Sequence, residues 1–198
     1  MSEQPSLLPH RSAMAATLLG AGAILFTLLA MGRPPICTCG TVKFWHGVVQ
    51  SAENSQHIAD WYSFSHVIHG LLFYFFAHIL WRRWRWFGGL PARWALPIAV
   101  AFEGFWELLE NSPIIIQRYR EVTVSFGYTG DSIVNSMGDI GWMVVGFLLA
   151  NRLPAWVSLL MALAFELFTL ALIRDNLTLN VLMIVWPMDS VVAWQAGG

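Results

Sequence analysis

The chain has 198 residues, 57% of them hydrophobic and 12% charged, with a formal net charge of -1 and a mean hydropathy of +0.57. That balance is too apolar for a soluble domain of this length, and it offers no basic surface for nucleic acid. With no glycine-rich nucleotide fingerprint, internal repeat or low-complexity stretch, the sequence predicts one integral membrane domain over residues 1–198.

Apolar runs of about 20 residues cover a hydrocarbon core of about 30 Å as helices. Five such runs are present, Ser12 to Met31, Tyr62 to Trp81, Ala92 to Glu110, Asp131 to Ala150 and Ala155 to Ile173, so the fold class is an all-α polytopic transmembrane bundle. The first run is longer than a signal-peptide core and no small-x-small site follows it, so it is expected to remain as an anchor. Cys37, preceded by Arg33, Pro34, Pro35 and Ile36, lacks a lipoprotein context. A sixth stretch, Asn176 to Trp194, is interrupted by Asn180, Pro187 and Asp189, and reads as re-entrant or interfacial.

Arg82, Arg83, Arg85 and Arg93 cluster between the second and third runs, which puts that connection in the cytoplasm and the N-terminus with it. Alternation then faces the loops Gly32 to Trp61 and Asn111 to Gly130 outward. Trp81, Trp84, Trp86 and Trp94 flank the inner boundary, and Trp61 with Tyr62 the outer one, where amphipathic rings prefer to sit.

Six acids lie inside or at the ends of these runs, Glu103, Glu107, Glu110, Asp131, Asp139 and Glu166, with His66 and His69 on a fourth run and no Lys or Arg within the runs apart from Arg93 at the inner end of the third. The spacings i, i+4, i+7 for Glu103, Glu107 and Glu110, and i, i+4, i+8 for Asp131, Asn135 and Asp139, each define one helix face. At ~1.5 Å per residue, His69, Asp139, Glu103 and Glu166 fall ~10 to 12 Å below the outer ends of their helices, with His66, Glu107 and Asn135 ~5 to 8 Å down. A charged Asp at mid-membrane costs ~2.5 to 3.5 kcal/mol, so four such acids facing lipid would cost on the order of 10 kcal/mol. The acids are therefore expected to converge on a polar funnel open to the outer, periplasmic side, and Gly138, Gly141 and Gly146 to let the fourth helix approach its neighbours.

Two kinds of reading stay open for these side chains. The histidines are either packing groups hydrogen-bonded to Ser63, Ser65 or carboxylates, or metal ligands, or acid/base groups; an i, i+3 pair can present two imidazoles to zinc or iron, with Glu103, Glu107 or Asp139 as oxygen donors. The carboxylates are either satisfied by Arg118, Arg120 or Arg174 folding inward, or form a functional cavity in which crowded acids share protons. Cys37 and Cys39 are separated by one residue, which strains a mutual disulfide, so free thiols, partner exchange and a metal site with His46 are all compatible. His57 is expected to be solvated, and His78 has no assigned role.

Asp60, His66, Tyr74, Glu103, Asp131, Asn135 and Gly138 together resemble the pattern of the VanZ-like superfamily, with Trp61 where a Lys is usual, Glu107 where an amide is usual, and His69 and Asp139 additional. Over nearly the whole chain, Ile36 to Gly40 (ICTCG), Phe44 to Gln50 (FWHGVVQ), Glu53 to Gln56 (ENSQ), Ser65 to Gly70 (SHVIHG) and Arg174 to Leu182 (RDNLTLNVL) resemble uncharacterised protein family 0314 (domain of unknown function 2585). That resemblance implies a multi-pass bacterial inner-membrane protein and carries no activity.

The expected function is an enzyme acting on membrane lipids or a lipid-linked envelope substrate. His66, His69, Glu103, Glu107, Asp131, Asn135 and Asp139 are its catalytic candidates; His66, His69, Glu103 and Asp139 are candidate ligands for a divalent metal; and Asp60, Arg118, Arg120, Glu166 and Arg174 are candidate substrate contacts. Two alternatives stand beside it: a proton- or cation-coupled carrier or binding protein, and a structural subunit of a membrane complex.

Overall fold

The computed structural model describes Leu7, residues 9–123 and residues 127–197, and every regular element among them is helical. In chain order these are α1 (Arg11–Ala30), α2 (Ser63–Ala77), α3 (Ala95–Glu110), α4 (Pro113–Val122), α5 (Ile133–Arg152), α6 (Ala155–Ile173), α7 (Leu177–Val185) and α8 (Asp189–Gln195). A π-helical stretch, His78–Arg83, prolongs α2, and a turn of 3-10 helix over Trp86–Trp94 leads into α3.

Four helices are long and apolar enough to cross a membrane: Arg11–Ala30, Ser63–Arg83, Ile133–Arg152 and Ala155–Ile173. These match four of the five predicted runs to within two residues. The remaining run begins in the tight connection where Arg85, Phe87, Gly88 and Gly89 take positive φ, which leaves α3 with 16 residues. The weak C-terminal stretch folds as two short helices, α7 of 9 and α8 of 7 residues, broken around Trp186, Pro187 and Met188. Neither is long enough to span.

Local chemistry sets the helix starts. Ser112 accepts from the Ile115 amide with Pro113 next to it, Ser132 accepts from the Asn135 amide, and Asn176 accepts from the Leu179 amide. Each side chain satisfies an N–H that the first turn leaves without a partner. The Ser-Pro pair thereby starts α4 inside the outward segment Asn111 to Gly130, where the sequence predicts a loop.

At the centre of the bundle α2 and α5 meet backbone to backbone at Gly70 and Gly146, with Tyr74 packed on Phe147 beside them. A Cβ on Gly70 would come within 2.0 Å of the Met143 carbonyl oxygen, and one on Gly146 within 2.1 Å of the Val67 carbonyl oxygen. Gly138 likewise abuts the Ile58 carbonyl, whereas Gly141 faces open space. Leu28, Leu96, Ala99, Val100, Ile140, Met143 and Phe147 fill the apolar half of the bundle below the polar residues. α6 is peripheral: only 6% of its apolar window is buried, and it touches α2 through Phe64 against Phe165 and Phe168.

Candidate functional site

His66 and His69 lie one turn apart on α2, Glu103 and Glu107 one turn apart on α3, and Asp139 two turns into α5. The close α2–α5 seam brings the three helices together around one buried group, in which Glu103 and Glu107 are 0% exposed, Asp139 4% and His66 5%. His66 Nδ1 donates to Glu103 Oε1 at 2.5 Å, and His69 Nδ1 donates to the same carboxylate at 3.1 and 3.0 Å. His66 Nδ1 is also 3.7 Å from Glu107 Oε1, and its Nε2 is 3.7 Å from Asp139 Oδ2. Ser63 completes the contact by donating to Asp139 Oδ1 at 3.4 Å.

Both oxygens of Glu107 are buried without a hydrogen-bond partner among the described residues. The arginines do not supply one. Arg33 donates to the Asp131 carbonyl, Arg118 to the Ile184 carbonyl, Arg120 to the Tyr128 carbonyl and Arg174 to the Trp194 carbonyl. Among the described residues no Arg forms an ion pair with a carboxylate, so an inward-folded arginine network is not how these acids are satisfied.

A second acidic group lies one turn toward the loops. Asp131 accepts from the Tyr128 hydroxyl at 2.8 Å and from Asn111 Nδ2 at 2.7 Å, while its own amide donates to Asn111 Oδ1. One oxygen each from Glu107, Glu110 and Asp131 lies within 4.8 Å of the others; the same holds for one ligand atom each of His66, His69 and Glu103, and of His66, Glu107 and Asp139. Asn111 and Tyr128 escaped the sequence reading, although Asn111 adjoins Glu110 and Tyr128 lies three residues before Asp131.

Over these acids the loop before α2 folds as a roof rather than leaving a funnel open. Gln56 donates to the Gly130 carbonyl, Ser132 to the Gln56 carbonyl, and Asn135 Nδ2 to the His57 carbonyl at 2.8 Å. Asp60 ties the roof to α2 by accepting from the Ser55 and Tyr62 amides. Asn135 and Asp60 thus bond to backbone.

Three other expectations are corrected here. Glu166 is not with the other acids: its carboxylate accepts from the Leu177 and Thr178 amides and caps α7, since free N–H groups at a helix start attract a carboxylate. His57 is 1% exposed rather than solvated, accepting from the Lys43 amide and donating to Glu53. Cys37 and Cys39 are disulfide-linked, and the histidine whose ligand atom stands near both sulfurs is His57, with Glu53, while His46 bonds to the Val48 carbonyl.

Charges in the loops follow their surroundings. Hydrogen bonds from Lys43 and then His57 hold Glu53 down at about 2. Burial pushes Asp131 up to about 6 against the hydrogen bonds from Tyr128 and Asn111, and raises Asp60 as well.

Asp175 is pushed up to about 6, chiefly by burial, with Asn176, Tyr62, Asn180 and Gln195 opposing. Because its folded value lies above the unfolded one, the folded state holds its proton longer. Its contribution to stability therefore falls as pH rises from 3.8 toward about 6, and is lowest above that range. The thermal midpoint of Asp175→Asn measured against wild type should move in the variant's favour across that window, by the equivalent of at most about 3 kcal/mol. A difference that is flat with pH refutes the assignment.

The fold and its centre define a class: a helical protein with four helices able to cross a membrane, enclosing a buried group of imidazoles and carboxylates. A family model described as a protein of unknown function (DUF2585) matches residues 28–197. The chain is 60% identical over 192 residues to a UPF0314 protein of Novosphingobium aromaticivorans, covering 97% of this chain and 96% of that one. It is also 60% identical over 172 residues to one from Sphingopyxis alaskensis (86% and 88%), and 52% identical over 181 residues to one from Paracoccus denitrificans (91% of each). The chain belongs to this family, UPF0314. No solved structure matches it.

Proposed function

We propose that the protein is a membrane-embedded metalloenzyme acting on a lipid or lipid-linked envelope substrate that reaches the centre from within the bilayer. One observation carries this reading. Of His66, His69, Glu103, Glu107 and Asp139, only His69 is partly exposed, with 18% of its side chain accessible, and it stands beside Phe73, which in turn lies against the outward-facing Phe102. The edge of the centre that a substrate can touch is thus bordered by apolar rings, not by water-facing polar groups.

The donor set fits a divalent cation. Ligand atoms about 2.1 Å from one ion are separated by about 3.0 Å in octahedral and about 3.4 Å in tetrahedral geometry. The distances from Glu103 to the two imidazoles and from His66 to Glu107, 2.5 to 3.7 Å, bracket those values. His66 Nδ1, His69 Nδ1 and Glu103 would hold zinc or iron where the two Nδ1 protons now meet the carboxylate, and Asp139 would orient His66 through Nε2. A bound dication supplies Lewis acidity toward a phosphoryl or carbonyl oxygen.

The rest of the reading follows from the charge distribution. The arginine cluster from Arg82 to Arg93 lies at the opposite end of α2 from His66, so the positive-inside rule puts the centre nearer the periplasmic face of a bacterial plasma membrane. Arg120 and Arg174 are exposed near that face and keep donors for an anionic headgroup. The VanZ-like pattern maps onto the same place, with His66 and Glu103 in the centre and Asp60, Asp131 and Asn135 in its roof.

The 2.5 Å contact of His66 with Glu103 favours a second reading, a proton-coupled carrier. Below the centre, however, Val100, Ile140, Met143 and Phe147 are apolar, and Tyr74 and His78 on α2 are few polar groups for a path. Elemental analysis of detergent-purified wild type beside Glu103→Gln separates the two. The metalloenzyme predicts about one zinc or iron per chain at this centre in wild type and at least a tenfold loss of retained metal in the variant. Metal-free wild type that drives proton-coupled uptake into vesicles would establish the carrier instead.

A further inference from the structure

We infer that this centre takes two cations, with Glu107 as the carboxylate between them: one ion against His66, His69 and Glu103, and a second, hard divalent cation against Glu110 and Asp131. The inference deepens the metalloenzyme reading and rests on it.

Glu107 carries the argument. It is 0% exposed, and neither of its carboxylate oxygens has a hydrogen-bond partner among the described residues, although Asn111 Nδ2 is close enough to donate to the Glu107 backbone carbonyl at 3.0 Å. A carboxylate buried in that state forfeits its hydration and gains nothing in return unless a proton or a cation faces it. Its position is intermediate: one oxygen stands 3.7 Å from His66 Nδ1, and an oxygen also falls within 4.8 Å of ligand atoms of both Glu110 and Asp131. A bridging carboxylate has this arrangement in two-metal sites, where the ions stand about 3.5 to 4 Å apart.

Charge and donor type point the same way. Five carboxylates, Glu103, Glu107, Glu110, Asp131 and Asp139, are gathered without an Arg or Lys ion pair among the described residues, so with all five ionised one dication would offset only two of the five negative charges, leaving the rest to protons or a second cation. The two halves of the site also differ in kind. Imidazoles on one side suit zinc or iron, and carboxylates alone on the other suit magnesium or manganese.

The second half is built rather than merely crowded. Asp131 is held by Tyr128 and Asn111, and hydrogen-bonded carboxylates of this sort are the usual outer support of a metal ligand. A polar cavity of about 20 Å³ lined by Glu110, Tyr62, Tyr119 and Tyr128 adjoins it. That is room for one water molecule on a cation reaching the site from the loop end.

The test uses the full chain in detergent, stripped with chelator and reloaded with Mn2+, which both donor sets accept. Wild type should bind two Mn2+ per chain and show the spin-coupled electron paramagnetic resonance spectrum of a close pair. Glu110→Gln, an isosteric change at the second position only, should bind one and lose the coupling; Asp131→Asn should do the same if Glu110→Gln does not fold. Wild type binding a single ion overturns the second position and leaves the first intact. Two ions retained in both variants overturn it as well. Wild type binding none removes the metalloenzyme reading along with it.

Discussion

His66→Ala is expected to leave the purified protein with less than about a tenth of its zinc or iron, the largest loss from any single substitution in the centre. Among the described residues His66 is the only basic side chain within 4 Å of three carboxylates, with Nδ1 toward Glu103 and Glu107 and Nε2 toward Asp139. Alanine deletes a ligand and at the same time leaves those acids facing one another in a buried space. Asp139→Asn keeps the shape and removes only the orienting charge, so its effect should be smaller, a 10- to 100-fold fall in metal affinity, as for other outer-support residues. Equal metal content in wild type and a folded His66→Ala would end the metal assignment.

Gly70→Ala is expected to cost more stability than any other one-methyl change in the bundle. The added carbon would sit 2.0 Å from the Met143 carbonyl oxygen and 2.5 Å from the Phe147 nitrogen, and neither is the tip of a side chain that can swing aside. Relief requires α2 and α5 to separate along their whole contact, so the cost belongs at or above the upper end of overpacking, about 3 kcal/mol or more. For a chain of this size that corresponds to a fall of roughly 6 to 12 °C in the thermal midpoint. The same separation would draw His66 away from Asp139, so metal affinity should fall with stability. Gly141→Ala, whose Cβ would meet nothing within 4 Å, is the control; matching midpoints for the two variants would show that the seam is not as tight as described.

These two expectations differ in where they could have been found. His66 was legible in the amino-acid order, because a histidine and several acids inside bilayer-length apolar runs violate the rule that lipid-facing helices exclude charge. Gly70 was not. A glycine within an apolar run carries no mark of its neighbour, and only the rotation of α5 against α2 makes its missing Cβ necessary. The same limit explains Glu166: its depth along the helix was readable, but its helix turns that carboxylate toward the start of α7, away from Glu103. Arg118, Arg120 and Arg174 were readable as cations near the acids, and each instead donates to a backbone carbonyl where a helix or loop ends.

Sequence by itself determined the helical class, the placement of four of the five long runs to within two residues, and the shared face of Glu103 with Glu107, whereas Asp131, expected on one helix face with Asn135 and Asp139, precedes α5 and its cap Ser132. All of these depend on periodicity and transfer free energy within one segment. Tertiary structure alone decided which faces meet, that the loop before α2 roofs the acids, that His57 and not His46 adjoins Cys37 and Cys39, and that the buried Glu107 carboxylate has no hydrogen-bond partner among the described residues. The physical reason is that the pairing of helices and loops depends on side-chain volume and hydrogen-bond satisfaction across distant parts of the chain, which no local spacing encodes.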